Sequence, residues 1–531
     1  MTVTAREPGP AADADAGNPD AEVPWRRLHV RVVVVDVVVL VLSLIPTAVT
    51  MLVFHLGFDS FSIWTAIATT SLGVLGAVGD LVRWWRTWYR VTPDRVEQRT
   101  GVWFTSFRYV PRERIRSVDS HARLRHRLAG LRVVLIGSGE PKPSFRLDAL
   151  STAMAEELRR ALIGAGDRRE PGPAAAAADR ADDRPLDGNP LIARLRWSWI
   201  FYNLVNAWAF LVAGFLLWSS FWAFQLVGVN LADVLAKLVD WRDLGVGWSI
   251  AVAVGGTFLL GVAGHAVGFV KDNWGFELLR TRTDTGTALL TRQGLLQTRE
   301  VYRDDARLRG IHFSEPLFWR WAGLCETEVI STGLTGWSAA NEPASSILPR
   351  GPIREARRVA ALVLPDGHRP MEAPLTPHPR RALLRRLWWA ALVPLALAGL
   401  LAWSAALGGP PAWAWLAALG LLPVTVQCAR VAYRALGHGI VGPYLVLRCG
   451  LMSRSTAAID RGAVIGWTVR ETLTQRLLGL LTVRVSTAAG YRFYQAPDLG
   501  IAQAVAFVNA AGPDLVGELL VPANRPPTPP E

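Results

Sequence analysis

Six stretches of this chain are long, apolar and almost free of charge, and between them the pattern breaks into short alternating runs. The apolar stretches are 28–56, 63–82, 199–228, 248–270, 387–407 and 412–433, each near the roughly 20 residues that a helix needs to cross a bilayer. They come in pairs. Positions 57–62 and the Gly-Gly-Pro-Pro turn at 408–411 are short, so the outer pairs read as helical hairpins. The middle pair has a longer loop in which Leu231, Val234, Leu235 and Leu238 recur at helical spacing, either an amphipathic helix on the far membrane surface or an ordinary loop helix. After the first pair, 89–96, 104–110, 115–118 and 131–136 alternate like strands. A helix over 152–163 follows, with Ser151 placed as its N-cap. Helices at 353–364 and 501–511 close two further regions of the same kind.

One spacing occurs three times. Arg99-Thr-Gly101 leads to Arg127-Leu-Ala-Gly130, Arg292-Gln-Gly294 to Arg320-Trp-Ala-Gly323, and Arg448-Cys-Gly450 to Arg476-Leu-Leu-Gly479; the paired glycines are 29 positions apart in every case. Such agreement between diverged segments marks one module used three times. The organisation read from it is a polar tail (1–24), hairpin one (25–88), module one (89–163), a flexible Pro/Ala/Asp linker (164–190), hairpin two (191–272), module two (273–365), hairpin three (380–436), module three (437–512) and a Pro-rich tail (523–531).

Charge adds orientation. Of the 57 basic residues only Lys142, Lys237 and Lys271 are lysine, and the net charge is +13. The two short hairpin turns carry no Lys or Arg while the hairpin flanks are Arg-rich, which by the positive-inside tendency puts all three modules and both termini in the cytoplasm. Basic domains beside a membrane are drawn to anionic headgroups at about 1 kcal/mol per cation. Cys325, Cys428 and Cys449 form no metal or disulfide pattern, which suits a reducing compartment.

Candidate chemistry is sparse. No HExxH, phosphate-binding glycine loop or GxSxG is present, so an enzyme, a cofactor and a metal site are not expected. Arg99, Arg127, Arg292, Arg320, Arg448 and Arg476 either hold a lipid phosphate or pair with a carbonyl or carboxylate at a turn. The accompanying Gly101, Gly130, Gly294, Gly323, Gly450 and Gly479 fit turns with positive φ. Arg112, Arg114, Arg116, Arg123 and Arg125 form a denser basic patch, a candidate for acidic lipid or a solvated face; nucleic acid is not expected, because no recognition motif accompanies the charge. Asp36 and His265 lie in apolar stretches and are candidates for proton or ion handling, against snorkelling and helix packing.

The run Tyr89-Arg-Val-Thr-Pro-Asp, then Gly101-Val, Val110-Pro-Arg-Glu-Arg-Ile-Arg-Ser-Val118 and Leu124-Arg-His-Arg-Leu-Ala-Gly-Leu131 resembles the bacterial membrane-anchored pleckstrin-homology-like family, the YdbS/YdbT-like membrane proteins. Leu473-Thr-Gln-Arg-Leu-Leu-Gly-Leu480 in the third copy is similar, and Leu317-Phe-Trp-Arg-Trp-Ala-Gly-Leu324 carries the match in the second, whose strands read as less regular. The resemblance implies an α+β membrane protein: six transmembrane helices in three hairpins, each followed by a cytoplasmic PH-like β-barrel or sandwich with a C-terminal helix. It implies no reaction. The expected role is a docking or assembly platform in envelope maintenance at the bacterial inner membrane. Its expected partners are anionic lipid and other membrane proteins, among them a smaller single-module relative. The alternative is a transport or export component that uses the helical bundle as its pathway.

Overall fold

The computed structural model describes residues 23–41 and 71–101 with short breaks, 106–137 except 112–114 and 116, 145–163, 190–204, 209–226, 241–283, 286–332, 343–409, and 411–512 except 412. Asp36, most of the first hairpin, the 231–240 loop, the linker and both tails lie outside the described residues. Twenty strands fall into four antiparallel sheets.

Module one opens with β1 (Arg26–Arg27), β2 (Trp88–Val91), β3 (Arg95–Thr100) and β4 (Ser106–Pro111), which form the first sheet in that order. β5 (Ser117–Arg123), the single-turn helix α1 (Leu124–Leu128), β6 (Leu131–Gly137), β7 (Phe145–Ser151) and α2 (Thr152–Ile163) complete it. Ser151 Oγ accepts from Met154 N at 3.2 Å, the N-cap read from the sequence.

Module two runs through β8 (Leu191–Arg194), α3 (Trp199–Leu204), α4 (Ala209–Leu226), α5 (Trp241–Asn273), β9 (Glu277–Thr283), β10 (Gly286–Gln293), β11 (Gln297–Asp304), β12 (Leu308–Pro316), α6 (Leu317–Trp321), β13 (Leu324–Ser331), β14 (Ser346–Pro352) and α7 (Ile353–Val363). Module three has α8 (Arg380–Ala406), α9 (Ala414–Gly420), α10 (Leu422–Arg434), β15 (Gly437–Val441), β16 (Tyr444–Cys449), β17 (Ser453–Asp460), β18 (Val464–Arg470), α11 (Leu473–Leu477), β19 (Leu480–Thr487), β20 (Phe493–Gly500) and α12 (Ile501–Ala511). The strands of module two, expected to be irregular, are six to pair fully with their neighbours plus β8 at the edge. Its deviant sequence reflects a central position, flanked on both sides, and not a looser fold.

Each sheet begins before its hairpin. Arg26 pairs with Tyr89, Leu191 with Leu279, and Thr376 with His438, so each hairpin is inserted between the first strand of a module and the rest. Among the described residues, three helical segments are long and apolar enough to cross a membrane: Gly245–Asn273, Arg380–Ala406 and Ala414–Arg434. These contain stretches four to six of the sequence pattern. The third is divided between α3 and the 18-residue α4, which packs on α5. Trp199, 2 % exposed, locks the start of that hairpin to its module by packing on Phe276 and over Gly351.

The modules share sheets. β5–β7 of module one continue into β11-β10-β9-β8 of module two, and β12–β14 of module two continue into β17-β16-β15 of module three. At the first joint Arg123 stands opposite Gln297 and Asp119 opposite Val301; at the second, Pro316 stands opposite Ser453 and Gly310 opposite Ile459. The register is the same in both: the residue seven before one module's second glycine meets the residue three after the next module's first glycine. Burial crosses the joint as well. Ile311 and Phe313 of module two share one apolar cluster with Tyr444, Val446 and Ala458 of module three. Removing such area from water stabilises at about 25 cal/mol per Å2, so the joints are parts of the core.

Candidate headgroup-binding clefts at the joints

The recurring glycines make the turns that bring the joints together. All six have positive φ, from 62° at Gly479 to 142° at Gly101. At Gly294 and Gly450 a Cβ would lie 1.9 Å from the carbonyl oxygen of Gln297 or Ser453, so only glycine closes these hairpins. The turn at Gly294 is pinned to the end of α5: Gly294 N donates to Trp274 O and Leu295 N to Lys271 O, both at 2.8 Å. It therefore sits where that apolar helix ends. The turns at the second glycines lie by the starts of other hairpins, with Arg31 Nη1 near Gly130 and Arg381 Nη1 near Gly479.

Each single-turn helix packs against the hairpin turn of the following module. Leu317 N donates to Met452 O at 2.7 Å, and Arg127 Nη1 to Leu295 O at 3.3 Å. These helices turn large apolar side chains outward: Leu128, Phe318, Trp321, Leu473 and Leu477 are 72–86 % exposed. The sequence reading took this run as part of the module's interior. The signal that could have found it is the pairing of two large apolar residues four apart with an Arg between or beside them, the make-up of a surface that sits in a membrane interface.

The recurring arginines meet across the joints. At the first, a cavity of about 250 Å3 is lined by Arg127, Arg132, Arg292, Thr152, Thr298 and Glu300. Glu300 accepts from Arg132 at 3.0 Å and lies 3.3 Å from Arg292 Nε. Three guanidinium groups thus face one carboxylate. At the second joint Arg454 Nε donates to buried Glu315 at 3.0 Å, and Arg320 and Arg448 stand in the same field. Burial, then the Arg454 charge, lowers the pKa of both Arg320 and Arg448, and Glu315 opposes this. The buried Nε of Arg448 has no acceptor among the described residues. Again three guanidinium groups face one carboxylate, although only the two recurring arginines occupy corresponding positions.

The remaining candidates separate from this arrangement. Arg99 and Arg476 are exposed at opposite ends of the array. Arg112, Arg114 and Arg116 lie outside the described residues; the backbone of Arg123 ends β5 and that of Arg125 belongs to α1. His265 lines a separate cavity of about 660 Å3 with Lys271, Arg299, Glu326 and Glu328. No group of His, Cys, Asp or Glu among the described residues could hold a metal. Cys325 is buried, its thiol pushed up to about 12 mainly by that burial, which leaves it unreactive as a nucleophile.

Residues 35–165 and 390–512 match the family described as the bacterial PH domain. The matches cover modules one and three with parts of their hairpins; module two lies outside both. No curated protein and no solved structure matches the chain.

Proposed function

Because two bacterial PH domains are carried here on a membrane-associated chain, we propose that the protein is a non-enzymatic docking platform at the bacterial inner membrane. Six transmembrane helices in three hairpins hold three cytoplasmic PH-like barrels, and the Arg-lined clefts at their joints take the phosphates of anionic lipid headgroups. The observation that carries this reading is the threefold excess of guanidinium over carboxylate at each joint, beside exposed apolar helices and where α5 ends. A planar guanidinium binds a phosphate bidentately, and one negative ligand would relieve the repulsion between arginines that a single Glu leaves in place. Leu128, Phe318, Trp321, Leu473 and Leu477 would enter the interface while the arginines stay at headgroup level.

The test uses the full chain in nanodiscs of phosphatidylcholine with or without phosphatidylglycerol and cardiolipin, with retained lipid counted by native mass spectrometry. The quadruple variant Arg127→Gln, Arg292→Gln, Arg320→Gln, Arg448→Gln should lose most retained anionic lipid at low salt. Unchanged retention would reject the reading. The transport alternative keeps one supporting feature, His265 on an apolar helix lining a polar cavity; it requires that His265→Ala abolish function in cells where the quadruple Arg variant does not.

A further inference from the structure

Each internal joint pairs an outgoing strand with an incoming one, β5 with β11 and β12 with β17. The incoming strand of module one is β4, and the outgoing strand of module three is β18. Among the described residues β4 hydrogen-bonds as a strand only to β3, and β18 only to β19. The array therefore ends in two half-joints of opposite kind.

Both ends expose what the joints bury. Phe107 and Tyr109 of β4 are 53 % and 57 % exposed, whereas Thr456 and Ala458, at the same distances after their module's first glycine, are 8 % and 0 %. Val469 of β18 is 57 % exposed; Phe313, equally ten residues before the second glycine of its module, is 2 %. Uncovered strands with apolar side chains are what folded proteins otherwise shield or charge.

We infer that β4 of one copy of this chain pairs with β18 of a second copy, extending the row of modules head to tail. Carrying over the register of the internal joints places Phe107 opposite Val469 and Tyr109 opposite Trp467. In the second internal joint the corresponding pairs, Thr456 with Phe313 and Ala458 with Ile311, face the shared core. Apolar and aromatic pairs of this kind stabilise a sheet by roughly 0.2–1 kcal/mol each. The charges fit too. The contact brings exposed Arg99 and Arg476 together, as the internal joints bring Arg127 to Arg292 and Arg320 to Arg448. Glu471, eight residues before its glycine, takes the place of Glu315. The occupant is a second copy because both halves of the interface, and the register that joins them, are already written into one chain. A contact between unlike surfaces yields rows or rings.

This inference stands apart from lipid binding, and its test reads self-association alone. The full chain, with Cys325, Cys428 and Cys449 replaced by Ala, is made as two differently tagged singles, Phe107→Cys and Val469→Cys, and the two are co-expressed and oxidised in membranes. Residues directly opposite across antiparallel strands lie within disulfide reach. The matched pair should cross-link between copies at least tenfold more than Phe107→Cys with Ile465→Cys, which is four residues out of register. In detergent, wild type should form concentration-dependent oligomers that Val469→Pro returns to monomer, since proline removes a ladder donor. Equal cross-linking of the two pairs overturns the inference. So does a monomer at tens of micromolar, a protected Val469→Cys within a monomer, or a different protein cross-linked at that edge.

Discussion

Asp498 is the most strongly held charge in module three, and neutralising it should loosen that module from its hairpin. The side chain is fully buried, with Arg385 at 2.7 Å, Arg386 at 2.9 Å and Gln475 Nε2 at 2.8 Å. Both arginines belong to the first turns of α8, so this cluster rivets the sheet to the apolar helix. Burial by itself would raise the Asp498 carboxyl, but hydrogen bonds from Arg385 and Gln475 and the charges of Arg386 and Arg385 outweigh it and hold the group below its ordinary range. Its φ of 64° is one that Asn also tolerates, so Asp498→Asn removes charge without backbone strain. Breaking a buried pair costs about 3–5 kcal/mol; with Arg385 and Arg386 still 18 % and 20 % exposed, the lower end applies. About 3 kcal/mol corresponds to roughly a hundredfold faster amide exchange through local opening. Hydrogen exchange at pH 7 on the full chain in nanodiscs should show this in β19 and β20 and leave β2 and β3 unchanged. Asp498→Ala should lose about 1 kcal/mol more, from a left-handed backbone without a polar side chain. Because the folded pKa is depressed, this stabilisation is full above the unfolded value near 3.9 and fades as pH falls through the folded one. Equal protection in wild type and Asp498→Asn would refute the reasoning.

Two further outcomes follow from the same structure. His378 is pushed down to about 4 by burial first and by neighbouring His438 second, against the hydrogen bond to Pro497 O; its stabilisation is complete above the unfolded value near 6.5 and about 3 kcal/mol is lost as pH falls toward 4, so the decline in melting temperature, followed by tryptophan fluorescence, should flatten in His378→Gln. Gly450→Ala should lower yield and melting temperature more than Gly466→Ala, since its Cβ would collide with Ser453 O while Gly466 has open space around it.

Much of this architecture was legible because it rests on local rules. The glycine pairs need left-handed turns, and a short polar residue before a helix caps it, so Gly101 to Gly479 and Ser151 could be read from residue type and spacing. The ends of α2 and α12 agree with the sequence pattern to the residue. The joints were not legible. Alternation in 297–301 or 453–459 says that a strand has two faces, but nothing in it says which strand lies along the edge. The short strands Arg26–Arg27 and Leu191–Arg194 were hidden for a related reason: lying just ahead of apolar runs, their residues looked like membrane flanks. The cleft arginines were flagged by recurrence, whereas Arg132, Arg454, Glu300 and Glu315 recur nowhere and needed the fold to bring them in.

The insertion of each hairpin behind the opening strand of its own module sets an order of events during synthesis. Leu191–Arg194 leaves the ribosome well ahead of Glu277–Thr283, its only strand partner in the finished sheet. At the usual ~5–20 residues per second the delay is on the order of ten seconds, and the intervening helices must be handed to the translocation machinery in that time. A module here cannot mature in the cytoplasm and be moored afterwards; its completion is the signal that its anchor has already been placed.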